Sequence, residues 1–338
     1  MPDAIDAGAT VRAAASASDP IGVFDSGIGG LSVLQALRAD LPHERLVYLA
    51  DSGHAPYGER GEAHAIARTA AIAGQLRQRE GIKALVIACN TATTAAVHLA
   101  RAAHPDLPIV GVEPAVKPAV AASRTGRIGV IGTRGTLASA RFGRLLASLD
   151  GQAEFVVQPC DGLAAAIEED LLAAADDRSH AIKTEALCAE YTRAMGSFGT
   201  GSGAIDTLVL GCTHYVFAAP VLRRLLGPEV AFVETGAPVA RQTRRLLAER
   251  GLLRAGSGSG ARPAAAAVCA LADGGAPSAH GPGSARPPQA GAPAEGTAAH
   301  AAPGLPAATL HTTGADLSLL RAARDRWLQE PAPVRRWD

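Results

Sequence analysis

Between Ile21 and Arg250, short apolar runs alternate with longer amphipathic ones, and this alternation constrains the fold more than any other feature of the chain. The runs Ile21–Phe24, Leu46–Leu49, Ala84–Ala88, Ile109–Val112, Ile128–Ile131, Glu154–Val157, Thr207–Leu210 and Val230–Val233 predict strands. The segments Leu31–Asp40, Glu62–Arg79, Ala92–His104, Leu137–Leu149, Leu163–Ala174, Ala181–Met195, Ala218–Leu226 and Val239–Arg250 predict helices, and Asp316–Gln329 predicts a last amphipathic one. Strands that alternate with helices build α/β folds, with mostly parallel sheets flanked by helices. Ligands of such sheets bind beyond the carboxyl ends of the strands, so the residues just after each strand are the functional candidates.

The alternation stops after Arg254. From Ala255 to Ala308, 42 of 54 residues are Ala, Gly, Pro or Ser, with only four charges. Such a segment buries too little apolar area to offset chain entropy, so residues 255–308 are expected to be a disordered insertion and residues 1–19 a disordered extension. Charged residues make up 19% of the 338-residue chain and the formal net charge is zero. A generic nucleic-acid binder needs surplus Lys and Arg to neutralise phosphates, and a polybasic membrane anchor needs them as well, so neither is expected. Nothing approaches the roughly 18 consecutive apolar residues of a membrane span. The Ala-rich start, with Asp3, Asp6 and Asp19, has no basic n-region and apolar h-region, so no secretory signal is expected. Five cysteines, Cys89, Cys160, Cys188, Cys212 and Cys269, include no C-x-x-C pair. Their odd number and the length of the chain argue against a disulfide scaffold and for a reduced, cytoplasmic setting.

Two strand ends echo each other. Ile82 to Asn90 (IKALVIACN) lines up with Ile205 to Thr213 (IDTLVLGCT), and Ile21-Gly22-Val23 lines up with Ile128-Gly129-Val130. Each half opens on an Ile-Gly-Val strand and later sets a cysteine at the tip of an apolar strand. The inference is two similar α/β lobes with a site between them: 20–114, 222–254 and 309–330 in the first, 115–221 in the second. A cysteine at a strand-to-helix turn lies near a helix N-terminus, where its thiolate is favoured and where backbone N–H groups can hold a carboxylate. Two thiols on opposite sides of one small ligand suit inversion of a carbon centre, one removing a proton and the other delivering one. Asp25, followed by Ser26-Gly27-Ile28-Gly29-Gly30, stands ready to tune one thiol, and its glycines permit close backbone approach to a ligand. His214, two residues from Cys212, stands ready to tune the other. The loop fails the G-x-G-x-x-G dinucleotide pattern.

At these residues the chain resembles the glutamate racemases of the aspartate/glutamate racemase superfamily. The resemblance is carried by Asp25-Ser26-Gly27-Ile28-Gly29-Gly30-Leu31, Pro56-Tyr57-Gly58, Ala88-Cys89-Asn90-Thr91-Ala92-Thr93 and Gly211-Cys212-Thr213-His214-Tyr215. It covers Pro20 to about Leu253 and resumes at Thr309–Leu328. It implies cofactor-independent interconversion of L- and D-glutamate, supplying D-glutamate to peptidoglycan, with no bound metal and a homodimeric assembly. It also implies that Cys212 acts on L-glutamate and Cys89 on D-glutamate, with Asp25, His214 and Glu168 as auxiliaries; Glu169 is the neighbouring alternative to Glu168. Asp25, Ser26, Tyr57, Gly58, Asn90, Thr91, Thr213 and His214 are the implied substrate contacts, and Thr133 and Thr136 further carboxylate donors. Val216 stands where the family has Pro, which would relax the start of the helix that follows.

Other readings of the same residues remain at this stage. A metal held by Cys89, Cys212 and His214 would cap the thiolates needed as bases. A Cys212–His214 hydrolase would need residues two apart to face each other and would leave Cys89 without a task. Aspartate is the nearest alternative substrate, and a non-catalytic protein that closes on an acidic amino acid is the nearest alternative of another class. Cys160, Cys188 and Cys269 read as small hydrophobes. His54, near Pro56-Tyr57, is a candidate to line the site.

Overall fold

The computed structural model describes residues 15–172, 178–256, 308–328 and 332–337. Among the described residues, ten strands fall in two wholly parallel sheets. The first contains β1 (Ile21–Asp25), β2 (Leu46–Ala50), β3 (Ala84–Ile87) and β4 (Ile109–Gly111). The second contains β5 (Arg127–Gly132), β6 (Glu154–Pro159), β7 (Thr207–Leu210) and β8 (Ala231–Val233). Two strands absent from the sequence reading, β9 (Thr309–Thr312) and β10 (Val334–Arg336), complete the first sheet in the order β10-β9-β2-β1-β3-β4. The second sheet runs β6-β5-β7-β8.

The chain steps from β1 outward to β2 and then back across to β3, and likewise from β5 to β6 and back to β7. Both sheets therefore reverse direction beside their Ile-Gly-Val strand, where ligands of open α/β sheets bind. The echo is structural: Ile21 pairs with Ala84 and Phe24 with Ile87, just as Ile128 pairs with Thr207 and Ile131 with Leu210. A Cβ on Gly22 would lie 3.0 Å from Ile82, and one on Gly129 would lie 2.7 Å from the Met195 methyl, so neighbouring chain packs directly on both strands.

Helices cover both faces of each sheet. On the first, α1 (Leu31–Asp40) and later α11 (Gly236–Glu249) and α12 (Ser318–Ala323) bury one face, while α3 (Glu62–Arg79) and α4 (Asn90–Ala103) bury the other; the short α2 (Tyr57–Arg60) precedes α3. On the second, α5 (Val116–Ala122), α6 (Arg134–Leu137) and α7 (Ala140–Ala147) lie opposite α8 (Leu163–Leu172), α9 (Arg178–Met195) and α10 (Ala219–Leu226). The single helix expected over 137–149 is split because the Ser139 hydroxyl accepts from the Phe142 N–H and starts a new N-terminus there. The last expected helix is α12 followed by a wider π turn over Arg324–Leu328.

Two expectations about organisation change. Residues 222–254 were assigned to the first lobe, yet β8 pairs with β7 in the second sheet. The chain leaves that sheet only after Val233 and returns with α11, which packs on α1. Residues 15–19 are ordered against the body, since the Lys83 ammonium donates to the Ala17 carbonyl at 2.6 Å. Residues 1–14 and 257–307, including Cys269, lie outside the described residues.

Lys83 and Glu44 form a buried ion pair of 2.5 Å below the amino end of β3, and Glu44 also accepts from the Arg254 N–H at 2.9 Å. Removing one partner of a buried pair strands the other charge. Lys83→Met is expected to lower the unfolding free energy by about 3 kcal/mol in urea titrations; an unchanged midpoint would show that the pair contributes nothing.

Candidate active site

The carboxyl ends of the two sheets face one another across a cavity of about 260 Å³. Cys89, one residue past Ala88 at the tip of β3, and Cys212, one past Gly211 at the tip of β7, both line it. Each strand delivers its thiol to a helical start, but the starts differ. Cys89 caps α4, its sulfur accepting from the Ala92 N–H at 3.4 Å. Cys212 precedes a 3-10 turn over Thr213–Ala218 in which Val216 replaces the expected Pro, and α10 follows with Pro220 in its first turn.

The Cys89 side is built from β1. The Asp25 carboxylate is fully buried and accepts from the Ser26 N–H at 2.8 Å and the Gly30 N–H at 2.6 Å. The Ser26 hydroxyl lies 3.5 Å from the Cys89 sulfur and 3.4 Å from Asp25 Oδ1. Burial pushes the Asp25 carboxyl above its usual range, against the pull of the His214 charge and of the two N–H groups. Burial, and after it the Asp25 charge, pushes the Cys89 thiol well up, so it rests as a neutral thiol.

The Cys212 side is cationic. His214 Nδ1 lies 3.8 Å from the Cys212 sulfur, and its Nε2–H donates to Glu168 Oε1 at 2.8 Å. A spacing of two residues does bring thiol and imidazole together, because the 3-10 turn places both on the cavity side. Burial by itself would lower the imidazole's pKa, yet the contacts to Cys212 and Glu168 outweigh it and hold His214 well above its ordinary value. Burial would raise Glu168, but the bond to His214, that ring's charge and the Ile28 N–H hold it down. Glu169 instead pairs with Lys183 at the surface, which leaves Glu168 as the carboxylate in the site.

The glycine loop was expected to approach a ligand; it approaches this ion pair. A Cβ on Gly27 would overlap Glu168 Oε1, and one on Gly29 would overlap His214 Nδ1 and sit 2.6 Å from Thr213 Oγ1. Bare backbone of the first lobe is what lets the charged pair of the second lie flat against it. Ser26 and Thr213 also line the cavity, as do Gly58, Asn90, Thr91 and Thr133. Both polar atoms of the Asn90 amide are buried without a partner, which leaves them for a ligand. The Thr91 and Thr133 hydroxyls meet across the cleft at 3.1 Å, while Thr136 is tucked behind, against Thr133 at 2.9 Å, and does not line the cavity. The Tyr57 ring lines the site, but its hydroxyl donates to Asp51 Oδ2 at 2.5 Å.

Asp51 is the residue the sequence reading missed. Fully buried after β2, it accepts from Tyr57, His54, Nε and Nη2 of Arg68 and, at 2.7 Å, Thr313 beyond β9. It fixes the segment that carries Ser52, Pro56 and Tyr57 to the cavity; His54 points to Asp51 and does not line the site. Only its place two residues past a strand hinted at this. Cys160 and Cys188 are buried in the second lobe's core. Among the described residues, no group of three His, Cys, Asp or Glu is arranged to hold a metal, and no helix is long and apolar enough to cross a membrane.

Residues 31–243 match the family model described as Asp/Glu/Hydantoin racemase. The chain is 50% identical over 239 residues to the glutamate racemase of Pseudomonas entomophila (strain L48), covering 71% of this chain and 85% of that one. Its fold is similar to the crystal structure of a glutamate racemase isoform from Bacillus anthracis, with a TM-score of 0.69 at 25% identity over 95% of this chain and 97% of that one. The glutamate racemase of Thermus thermophilus, solved with β-chloro-D-alanine, matches with a TM-score of 0.63 at 29% identity over 96% and 98%.

Gly29→Ala is expected to displace His214 and abolish ligand binding at the cavity, checked by calorimetry. Glu168→Gln removes the carboxylate that keeps His214 protonated. The imidazole should then lose its proton at a lower pH than in the unaltered protein, as read by NMR titration of that ring; an unmoved titration would contradict the assignment.

Proposed function

This chain belongs to the Asp/Glu/Hydantoin racemase family, and from that premise we propose that it interconverts L- and D-glutamate by proton transfer at the α-carbon between Cys89 and Cys212. The observation that carries the reading is one cavity lined by both thiols, one from each lobe, each with its own acid–base partner. A general base must lie within reach of the proton it takes, and inversion needs a second donor on the opposite face. The relatives matched at about half identity are glutamate racemases, which favours glutamate over aspartate.

Cys212 takes the α-proton of L-glutamate. His214 places a positive charge beside that sulfur, and Glu168 keeps the ring protonated, so negative charge developing on sulfur is met by a fixed cation. Cys89, a neutral thiol, delivers its proton to the opposite face and yields the D-enantiomer. The reverse direction exchanges the roles. Asn90, Thr91 and Thr133 offer an amide and two hydroxyls to the carboxylates, and the N-terminus of α4 adds backbone N–H groups. The product supplies D-glutamate for peptidoglycan, as the resemblance implies.

In D₂O without added cofactor, both glutamate enantiomers are expected to gain deuterium at the α-carbon while aspartate exchanges far more slowly. Cys89→Ser and Cys212→Ser should each abolish racemisation. Retention of the α-proton by both enantiomers would remove catalysis and leave a binding protein; full activity in either cysteine variant would remove the two-thiol mechanism.

A further inference from the structure

The Cys212 side has an evident proton-handling chain: sulfur, imidazole, half-buried carboxylate. The Cys89 side contains no imidazole, yet its geometry has the same form. The Ser26 hydroxyl sits between the Cys89 sulfur at 3.5 Å and Asp25 Oδ1 at 3.4 Å. Ser26 is itself buried, and its N–H donates to the same Oδ1 at 2.8 Å, which pins the carboxylate beside the hydroxyl. The other carboxylate oxygen is held by the Gly30 N–H at 2.6 Å and faces the Thr213 hydroxyl at 3.5 Å. Asp25 therefore turns one oxygen to Ser26 and commits the other elsewhere. Catalytic hydrogen bonds of this length often tighten as the reacting groups come into register on the substrate.

We infer that Ser26 is a proton relay between Cys89 and Asp25, so that each thiol ends in a carboxyl through one intermediary: Cys212–His214–Glu168 and Cys89–Ser26–Asp25. This rests on the reading of Cys89 as a proton-transfer thiol. In the relay the Cys89 S–H bond breaks as its proton passes to Ser26 Oγ, and the Ser26 O–H bond breaks as that proton passes to Asp25 Oδ1. The electron pair left on sulfur is the base that takes the α-proton of D-glutamate. Asp25 ends as a neutral acid, Ser26 is unchanged, and net charge is conserved. Burial suits Asp25 to this task, because a desolvated carboxyl holds a proton more readily than an exposed one. A hydroxyl donates and accepts at once, whereas an alanine does neither.

The test is Ser26→Ala in the full chain, with racemisation measured from both enantiomers carrying hydrogen or deuterium at the α-carbon. Equilibrium between enantiomers forces kcat/KM to fall by the same factor in the two directions, expected here to be tenfold or more. The isotope effects are free to diverge. With the relay removed, proton transfer at Cys89 becomes the slower step, so the effect should rise from D-glutamate and fall toward unity from L-glutamate. Ser26→Thr, which keeps the hydroxyl, should restore both the rate and the balance of isotope effects. A rate loss with unchanged isotope effects would show that Ser26 only binds substrate or shapes the loop, and it would overturn the relay. Unaltered kinetics in Ser26→Ala would overturn it as well, as would a Ser26→Thr variant that folds normally by circular dichroism yet behaves as Ser26→Ala. Absence of racemisation in the unaltered enzyme would instead bring down the underlying two-thiol reading, and the relay with it.

Discussion

A single buried contact organises the cleft: the 2.8 Å bond between His214 and Glu168, capped by the Ile28 N–H of the opposite lobe. An ion pair removed from water costs much of what its attraction returns, so such a pair is weak evidence for stability. Its value lies in placing a fixed positive charge in a low-dielectric site, where charge developing on sulfur is worth far more to stabilise than in water. The glycines at 27 and 29 follow from it, because any side chain there would occupy the space of the pair. The Tyr48 hydroxyl, which donates to the Gly27 carbonyl at 2.8 Å, in turn holds the loop against its own sheet.

The same constraint accounts for the orientation of the lobes. Parallel sheets present their carboxyl ends in one direction, and each sheet reverses beside its Ile-Gly-Val strand. Two such reversals set face to face bring Asp25 and Cys89 from one sheet against Thr133 and Cys212 from the other. Hydroxyls of Thr91 and Thr133 meet across the gap, and Ser32 Oγ reaches the Thr213 carbonyl at 3.4 Å. Apolar contact joins these polar ones, since the Phe217 ring stacks on the Trp327 ring at 4.5 Å between centroids.

Much of this was legible in the chain because the signals are local. A buried parallel strand reads as a short apolar run and a helix as an amphipathic period, so strand Thr207–Leu210 and helix Leu31–Asp40 fall at the observed limits. The residues after the runs, Cys89, Cys212, Asp25 and His214, were legible for the same reason. What depends on distant chain was not. Strand β9 is four residues of TLHT beyond an Ala- and Pro-rich stretch, and β10 is three residues, two of them Arg on an exposed edge, where charge guards against unwanted pairing. Neither shows a period long enough to read, yet Thr313, just past β9, bonds to Asp51 and so helps hold the Tyr57 segment. The assignment of β8 failed because the alternation of elements says nothing about which sheet a strand joins. Asp51 was missed because its nearby partners, His54, Tyr57 and Arg68, follow no helical or strand period, and Thr313 lies 262 positions away.

The two halves repeat their backbone but not their chemistry. Duplicate strand registers bring a sulfur to each tip, and the next residues diverge: Asn90 begins an α-helix, whereas Thr213-His214 begins a 3-10 turn that swings an imidazole back to its own thiol. An inversion removes a proton from one face of the α-carbon and delivers one to the other, so in each turnover one sulfur is the base and the other the acid. One sulfur must be ready to accept while the other is ready to donate. A cationic partner beside Cys212 and a buried carboxylate behind Cys89 serve the two sulfurs by different means, while each sulfur takes either role as the direction of the reaction changes. The fold contributes equivalence of position, and the unlike neighbours give each thiol its own proton-handling partner.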